Sequence, residues 1–206
     1  MKPVIALTKG RLEKQFLNFF AELGFEVDPL LEKGRKLQIE TSEFSFFFAK
    51  GVDVTTYVEN GIADIGIVGG DILIEHQPDV YNLFPLPFGH CRMALATKAN
   101  YQWPEQKKRI ASTFTNITKN YFKEKGESVD IIKLEGSVEL APILGLADAI
   151  VDIVETGTTL KENGLVIEDE FISFSARLIA NRSSLKIKRD QLVPVIERFK
   201  EGAKKA

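Results

Sequence analysis

The sequence predicts an α/β protein of two lobes with mainly parallel sheets. Short apolar runs alternate with stretches of helical periodicity, and glycine, proline and asparagine punctuate the joins. A middle block, residues 91–169, reads as a self-contained βαβ unit. Lobe I is then residues 1–90 with 170–206 and lobe II is 91–169, with the chain crossing between them twice. Clefts between such lobes are common ligand sites.

Residues 4–7 form an apolar strand, and Leu12, Phe16, Phe19, Phe20 and Leu23 recur at helical steps until Gly24. Residues 36–41 and 44–49 read as strands, and Asp53 has the position of an N-cap for a helix to about Asn60. Residues 63–68 form a buried strand closed by Gly69-Gly70, with Asp71 capping a short helix. Residues 82–88 read as a proline-punctuated strand or connector, and 91–97 as a strand. A new unit follows: strand from Arg109, helix 116–125, strand 131–134, short helix 139–145, strand 149–154 and helix 160–162. Residues 171–181 alternate as one strand, and 190–201 close the chain with Leu192, Val195, Ile196 and Phe199 inward. The 15 phenylalanines fall mostly at periodic positions and are expected in the core.

With 27 Lys and Arg against 29 Asp and Glu, a net charge of −2 gives no field that would draw nucleic acid or an anionic membrane. Any anionic ligand is held by a few placed groups. No apolar run approaches the roughly 20 residues that span a bilayer, and the N-terminal segment lacks the apolar core of a signal peptide. A cytoplasmic protein is expected. One cysteine and two histidines exclude a disulfide framework and a zinc cluster. Cys91 beside His90 makes a poor nucleophilic pair, because neighbours on a strand face opposite ways; it is expected as a buried small hydrophobe.

The densest chemistry lies at residues 148–160, where an apolar strand carries Asp152 and Glu155 into Thr156-Gly157-Thr158-Thr159 and a helix. Backbone N–H groups at such a turn attract an anion, Gly157 lets backbone approach closely, and the threonines add hydroxyl donors. Carboxylates would repel the phosphate, so Asp152 and Glu155 make better sense as acceptors for ribose hydroxyls. The pattern points to a sugar phosphate. An ordinary strand-to-helix loop, with a threonine cap and Asp152 paired to a lysine, has the same sequence signs.

The block resembles the phosphoribosyl pyrophosphate loop of ATP phosphoribosyltransferases, and residues 5–12, 63–69, 136–142 and 175–179 resemble the same family in the same order. The resemblance implies a two-lobed fold like periplasmic binding proteins with an interlobe active-site cleft where ATP and phosphoribosyl pyrophosphate meet, and an attack by adenine N1 on the ribosyl C1 with pyrophosphate and magnesium departing. Phosphoribosyl-ATP would then enter histidine biosynthesis. Adenine N1 bears a lone pair and no proton, so positioning and stabilisation of pyrophosphate matter more than a base. Lys9 and Arg11, after the first strand, are the leading polyphosphate contacts, with Arg35 and Lys50 next. The family usually has arginine at the position of Lys50, which loses the bidentate fork, and lysine at the position of Gly70. Gly69 and Glu139 are further substrate-binding candidates, Glu139 toward ribose or magnesium. No metal ligands are assigned, and Mg²⁺ is expected to travel with the substrate polyphosphates. Residues 112–118 carry hydroxyls with no assigned role.

Family members exist with and without a C-terminal histidine-binding domain, and a chain of 206 residues resembles the short form. Such subunits resemble partners in a hetero-oligomer with a regulatory protein related to histidyl-tRNA synthetase. Residues 44–48 or 178–187 could serve that contact, although each reads more simply as a strand with one buried face. Two other readings stay open: transfer to a free base, which usually shows two consecutive acids before the loop, and a solute-binding module, which would ordinarily carry a secretion signal.

Overall fold

A computed structural model of the chain describes residues 2–205 and divides it into two compact units. One unit runs to Gly89 and resumes at Ser175; the other is His90–Phe174. The strands are β1 (Val4–Thr8), β2 (Gln38–Glu40), β3 (Ser45–Ala49), β4 (Ile65–Gly69), β5 (Tyr81–Pro85), β6 (Cys91–Lys98), β7 (Arg109–Ser112), β8 (Asp130–Lys133), β9 (Ala149–Val154), β10 (Leu165–Phe174) and β11 (Ala176–Ala180). The helices are α1 (Arg11–Glu22), α2 (Asp28–Leu31), α3 (Gly51–Glu59), α4 (Gly70–His76), α5 (Thr115–Glu124), α6 (Leu140–Ile143), α7 (Thr158–Glu162), α8 (Ser184–Ile187) and α9 (Arg189–Lys205).

The first unit orders its sheet β2-β3-β1-β4-β11-β5 and the second β10-β6-β9-β7-β8. Both sheets are mixed rather than mainly parallel. Strand β1 runs parallel to β3 and β4, and β7 parallel to β8 and β9, but β2, β5, β6, β10 and β11 join antiparallel. Hydrophobic alternation reports burial and is silent on strand direction.

The alternating stretch 171–181 is not one strand. Residues 165–174 pair with β6 from Leu165↔Lys98 to Phe174↔Cys91, while Ala176–Ala180 pair with β4 and β5 in the other unit. The break falls at Ser175, whose carbonyl accepts the Gly70 N–H at 3.1 Å. The second unit therefore extends to Phe174, beyond the expected 169. Helix α3 starts at Gly51, with Lys50 as its N-cap residue, so Asp53 sits in the first turn instead of capping it.

The first unit's core is aromatic. Phe16, Phe20, Phe44, Phe46 and Phe199 are all essentially inaccessible, with Phe20 stacked on Phe25 at 4.3 Å and Phe199 edge-on to Phe16 and Phe20 at 6.0 and 5.9 Å. Helix α9 thus brings Leu192 and Phe199 fully into this core, with Val195 and Ile196 at its margin. Residues 44–48 contribute Phe44, Phe46 and Phe48 to the interior, and Phe47, on the other face, meets Tyr57 edge-on at 4.9 Å. The second unit has a cluster on each face of its sheet, one under α6 and α7, the other under α5. Cys91 is half-buried rather than buried. Among the described residues, no helix is long and apolar enough to cross a membrane.

Candidate active site

In the second unit β8, β7 and β9 run parallel, so the segments leaving their carboxyl ends, residues 134–139, 113–114 and 155–157, lie along one edge of the sheet. Residues 112–118 fasten two of these segments. The buried Ser112 hydroxyl donates to the Val151 carbonyl at 2.6 Å and accepts the Phe114 N–H at 2.8 Å. Thr118 Oγ1 donates to the Phe114 carbonyl at 2.6 Å.

Asp152 alternates with Ile150 and Val154, which pack with Val138, Ala141 and Leu160, so its carboxyl belongs to the α6 and α7 face. Burial pushes this carboxyl up to about 6, against a hydrogen bond from the Ile153 N–H and with the Glu139 charge adding to the rise. Glu139 thus lies close enough to act on Asp152, at the N-cap position of α6. The preceding Ser137 holds φ +47°, a left-handed conformation that few non-glycine residues adopt.

The turn itself is exposed from Glu155 to Thr159 apart from a half-buried Gly157. Gly157 has φ +78° and leads into α7. A side chain there would meet Val154 and Ile167 only at 3.8 and 4.0 Å. Within the fold, the left-handed backbone rather than crowding is what calls for glycine. The Thr156 and Thr158 hydroxyls share a hydrogen bond at 3.0 Å, and Thr158 N–H reaches Thr156 Oγ1 at 3.4 Å.

In the first unit, β3, β1 and β4 are parallel and in register, with Thr8 opposite Ala49 and Leu7 opposite Ile67. Their carboxyl ends bring Lys9, Arg11, Lys50, Gly69 and Gly70 to one edge. The Lys9 N–H donates to the Ala49 carbonyl at 2.9 Å, and Thr8 Oγ1 to Ile67 at 2.8 Å. Lys9, Arg11 and Lys50 are exposed. Arg35 lies in an exposed turn before β2, whose start is antiparallel to the end of β3, so it approaches the same edge from outside. Lys33 ties this turn to α1 through Glu13 at 3.1 Å.

Gly69 is fixed by its surroundings: a Cβ there would fall 2.0 Å from Asp71 Oδ1. Asp71 is not the cap residue, a place Gly69 takes, but lies in the first turn of α4. Burial pushes its carboxyl above the ordinary range, opposed by hydrogen bonds from its own N–H and that of Ile72 and by the His76 and Arg11 charges.

Arg92 belongs to none of the sequence motifs, yet it lies against the turn. It stands opposite Val154 on β6 and its Nη1 donates to the Glu155 carbonyl at 3.0 Å. The two residues are 63 apart in sequence, so only the β6–β9 register brings them together. Among the described residues no group of three or more His, Cys, Asp or Glu side chains is arranged to hold a metal.

Comparison with known proteins identifies the family. The family profile described as ATP phosphoribosyltransferase matches residues 50–201. The chain is 52% identical over 195 residues to an ATP phosphoribosyltransferase of Bacillus cereus, covering 93% of this chain and 92% of the relative. Among solved structures it is similar to an ATP phosphoribosyl transferase (HisG:HisZ) complex from Thermotoga maritima, with TM-score 0.84 and 38% identity over 99% of this chain and 100% of that one. The alkanesulfonate-binding protein SsuA from Xanthomonas axonopodis pv. citri, bound to MOPS, shares the fold alone, with TM-score 0.62 and 13% identity over 98% of this chain and 72% of that one. The matching profile and the high identity across nearly the full length agree: the chain belongs to the ATP phosphoribosyltransferase family, transferases that carry out the first step of histidine biosynthesis.

Proposed function

We propose that the turn from Glu155 to Thr159 receives the 5-phosphate of phosphoribosyl pyrophosphate, with Asp152 and Glu155 accepting hydrogen bonds from the ribose hydroxyls. The observation that carries this is the joint placement of a left-handed Gly157, two threonine hydroxyls and a half-buried Asp152 on one strand-to-turn segment. Backbone donors take the phosphate, and acids one turn earlier take the sugar.

ATP, the acceptor, presents adenine N1 to the ribosyl C1; the new N–C bond forms as the C–O bond to pyrophosphate breaks. N1 has no proton to lose, so the protein's work is orientation and charge stabilisation. Lys9, Arg35 and Lys50 are assigned to the departing pyrophosphate, and Arg11 and Gly69 to substrate binding. Their common sheet edge in the first unit supports this. Lys50 supplies charge without the planar fork of arginine. Mg²⁺ would arrive with the polyphosphates. Glu139, whose charge acts on Asp152, is the candidate to face the ribose or that ion.

A histidyl-tRNA-synthetase-like regulatory subunit is proposed as the partner, and the cytoplasm as the location; the likeness to the Thermotoga complex supports the former. An absorbance assay for phosphoribosyl-ATP, with ATP, phosphoribosyl pyrophosphate and Mg²⁺, tests the reaction with purified chain alone and with that partner. Product that rises with the partner and falls with histidine is expected. A chain that neither turns over nor binds either substrate refutes the proposal.

A further inference from the structure

We propose that Arg92 is a positioning residue for the phosphate turn, acting through the backbone rather than on the substrate. This rests on the reading of residues 155–159 as the phosphoribosyl cradle. Arg92, the second residue of β6, stands opposite Val154, the last residue of β9, and one arm of its guanidinium donates to the Glu155 carbonyl at 3.0 Å. Its Nε lies 2.6 Å from Glu170 Oε1, on the neighbouring β10. The guanidinium therefore spans from β10 across β6 to the first residue of the turn.

The consequence follows from peptide geometry. In a planar trans peptide the C=O of one residue and the N–H of the next point in opposite directions. Fixing the Glu155 carbonyl on Arg92 thus fixes the Thr156 N–H away from Arg92. That N–H is one of the donors a phosphate on this turn would use, and it leads into the Thr156–Thr158 hydroxyl pair. Gly157 is the residue most free to let the turn rearrange, so an anchor just before it has the greatest leverage. Glu170 keeps the guanidinium from swinging onto the phosphate, and its charge offsets part of the cation's own.

The test is calorimetric binding of phosphoribosyl pyrophosphate with Mg²⁺, and separately of ATP, to the full chain and to Arg92→Ala, Arg92→Lys and Glu170→Gln. Arg92→Ala is expected to weaken phosphoribosyl pyrophosphate about tenfold, with ATP affinity changed less than about twofold. Lysine reaches one partner at a time and should restore only part of the loss. Added guanidinium ion at millimolar concentration should recover binding in Arg92→Ala and not in wild type. Equal weakening of both ligands with a lowered melting temperature, or unchanged affinity in Arg92→Ala, overturns the inference while leaving the reading of the turn intact. Failure of wild type to bind phosphoribosyl pyrophosphate overturns both.

Discussion

Asp152 connects burial to chemistry most directly. Its carboxyl is pushed up to about 6, so it becomes a full hydrogen-bond acceptor only above that pH. The Michaelis constant for phosphoribosyl pyrophosphate should therefore rise as pH falls through 6. Asp152→Asn should raise it about tenfold at pH 7.5 and flatten its pH profile relative to wild type; parallel profiles would assign the dependence to the substrate's own phosphates. Because the group holds its proton more tightly folded than unfolded, it lowers stability as pH rises from the ordinary carboxylate range to about 6, with the penalty constant above. Gly157→Ala forces an L-residue to φ +78° at a cost of about 1–2 kcal/mol. Steady-state kinetics should show weaker phosphoribosyl pyrophosphate and nearly unchanged ATP. Gly157 and the acids before it are legible in sequence, since a turn residue announces itself locally. Arg92 is not, because its partner is set by strand register.

Elements are held to one another by a few buried polar contacts. Asp148, at the entrance to β9, accepts from Tyr101 Oη at 2.8 Å, from the Arg109 N–H at 2.7 Å and from Arg109 Nη2 at 2.8 Å, fastening the long connection after β6. Burial alone would raise this carboxyl, but the hydrogen bonds from Arg109 and Tyr101 outweigh it and hold the group below its ordinary value. Its contribution is present above the unfolded carboxylate pKa and lost as pH falls through the folded one. Asp148→Asn should lower the urea midpoint at neutral pH and narrow the gap to wild type in acid. The place of β9 and its turn is legible because a continuous apolar run ends in Gly and Thr. The first half of β10 is not, because Val166, Glu168 and Glu170 alternate on an edge strand and resemble a charged loop. In sequence β10 merges with β11 because alternation continues across Ser175, while the change of sheet is a long-range event.

The first unit is assembled from both ends of the chain. Phe199 of α9 touches Phe16, Phe19, Phe20 and Phe25, so the unit's core is incomplete until the last helix is made. Phe199→Ala should cost about 3–5 kcal/mol. In hydrogen-exchange mass spectrometry the lost protection should concentrate in residues 2–89 and 175–205. A matching loss throughout 90–174 would contradict the separate cores of the two units. The two-unit division was legible because the βαβ pattern of the middle block has its own start and stop. Its later boundary was not, because β10 looks like the beginning of the returning chain.

Trp103 is the only tryptophan in the sequence. It stands edge-on to Tyr101 at 5.7 Å, with the Lys108 ammonium 4.5 Å from its ring centre. Excited at the red edge of its absorption, the protein emits from one place, beside the Asp148 anchor, while the phenylalanine-rich unit stays dark. A fluorescence melt therefore follows the second unit alone, and circular dichroism follows both. If the two traces separate on heating, the difference between them is the unfolding curve of the first unit, obtained without a label.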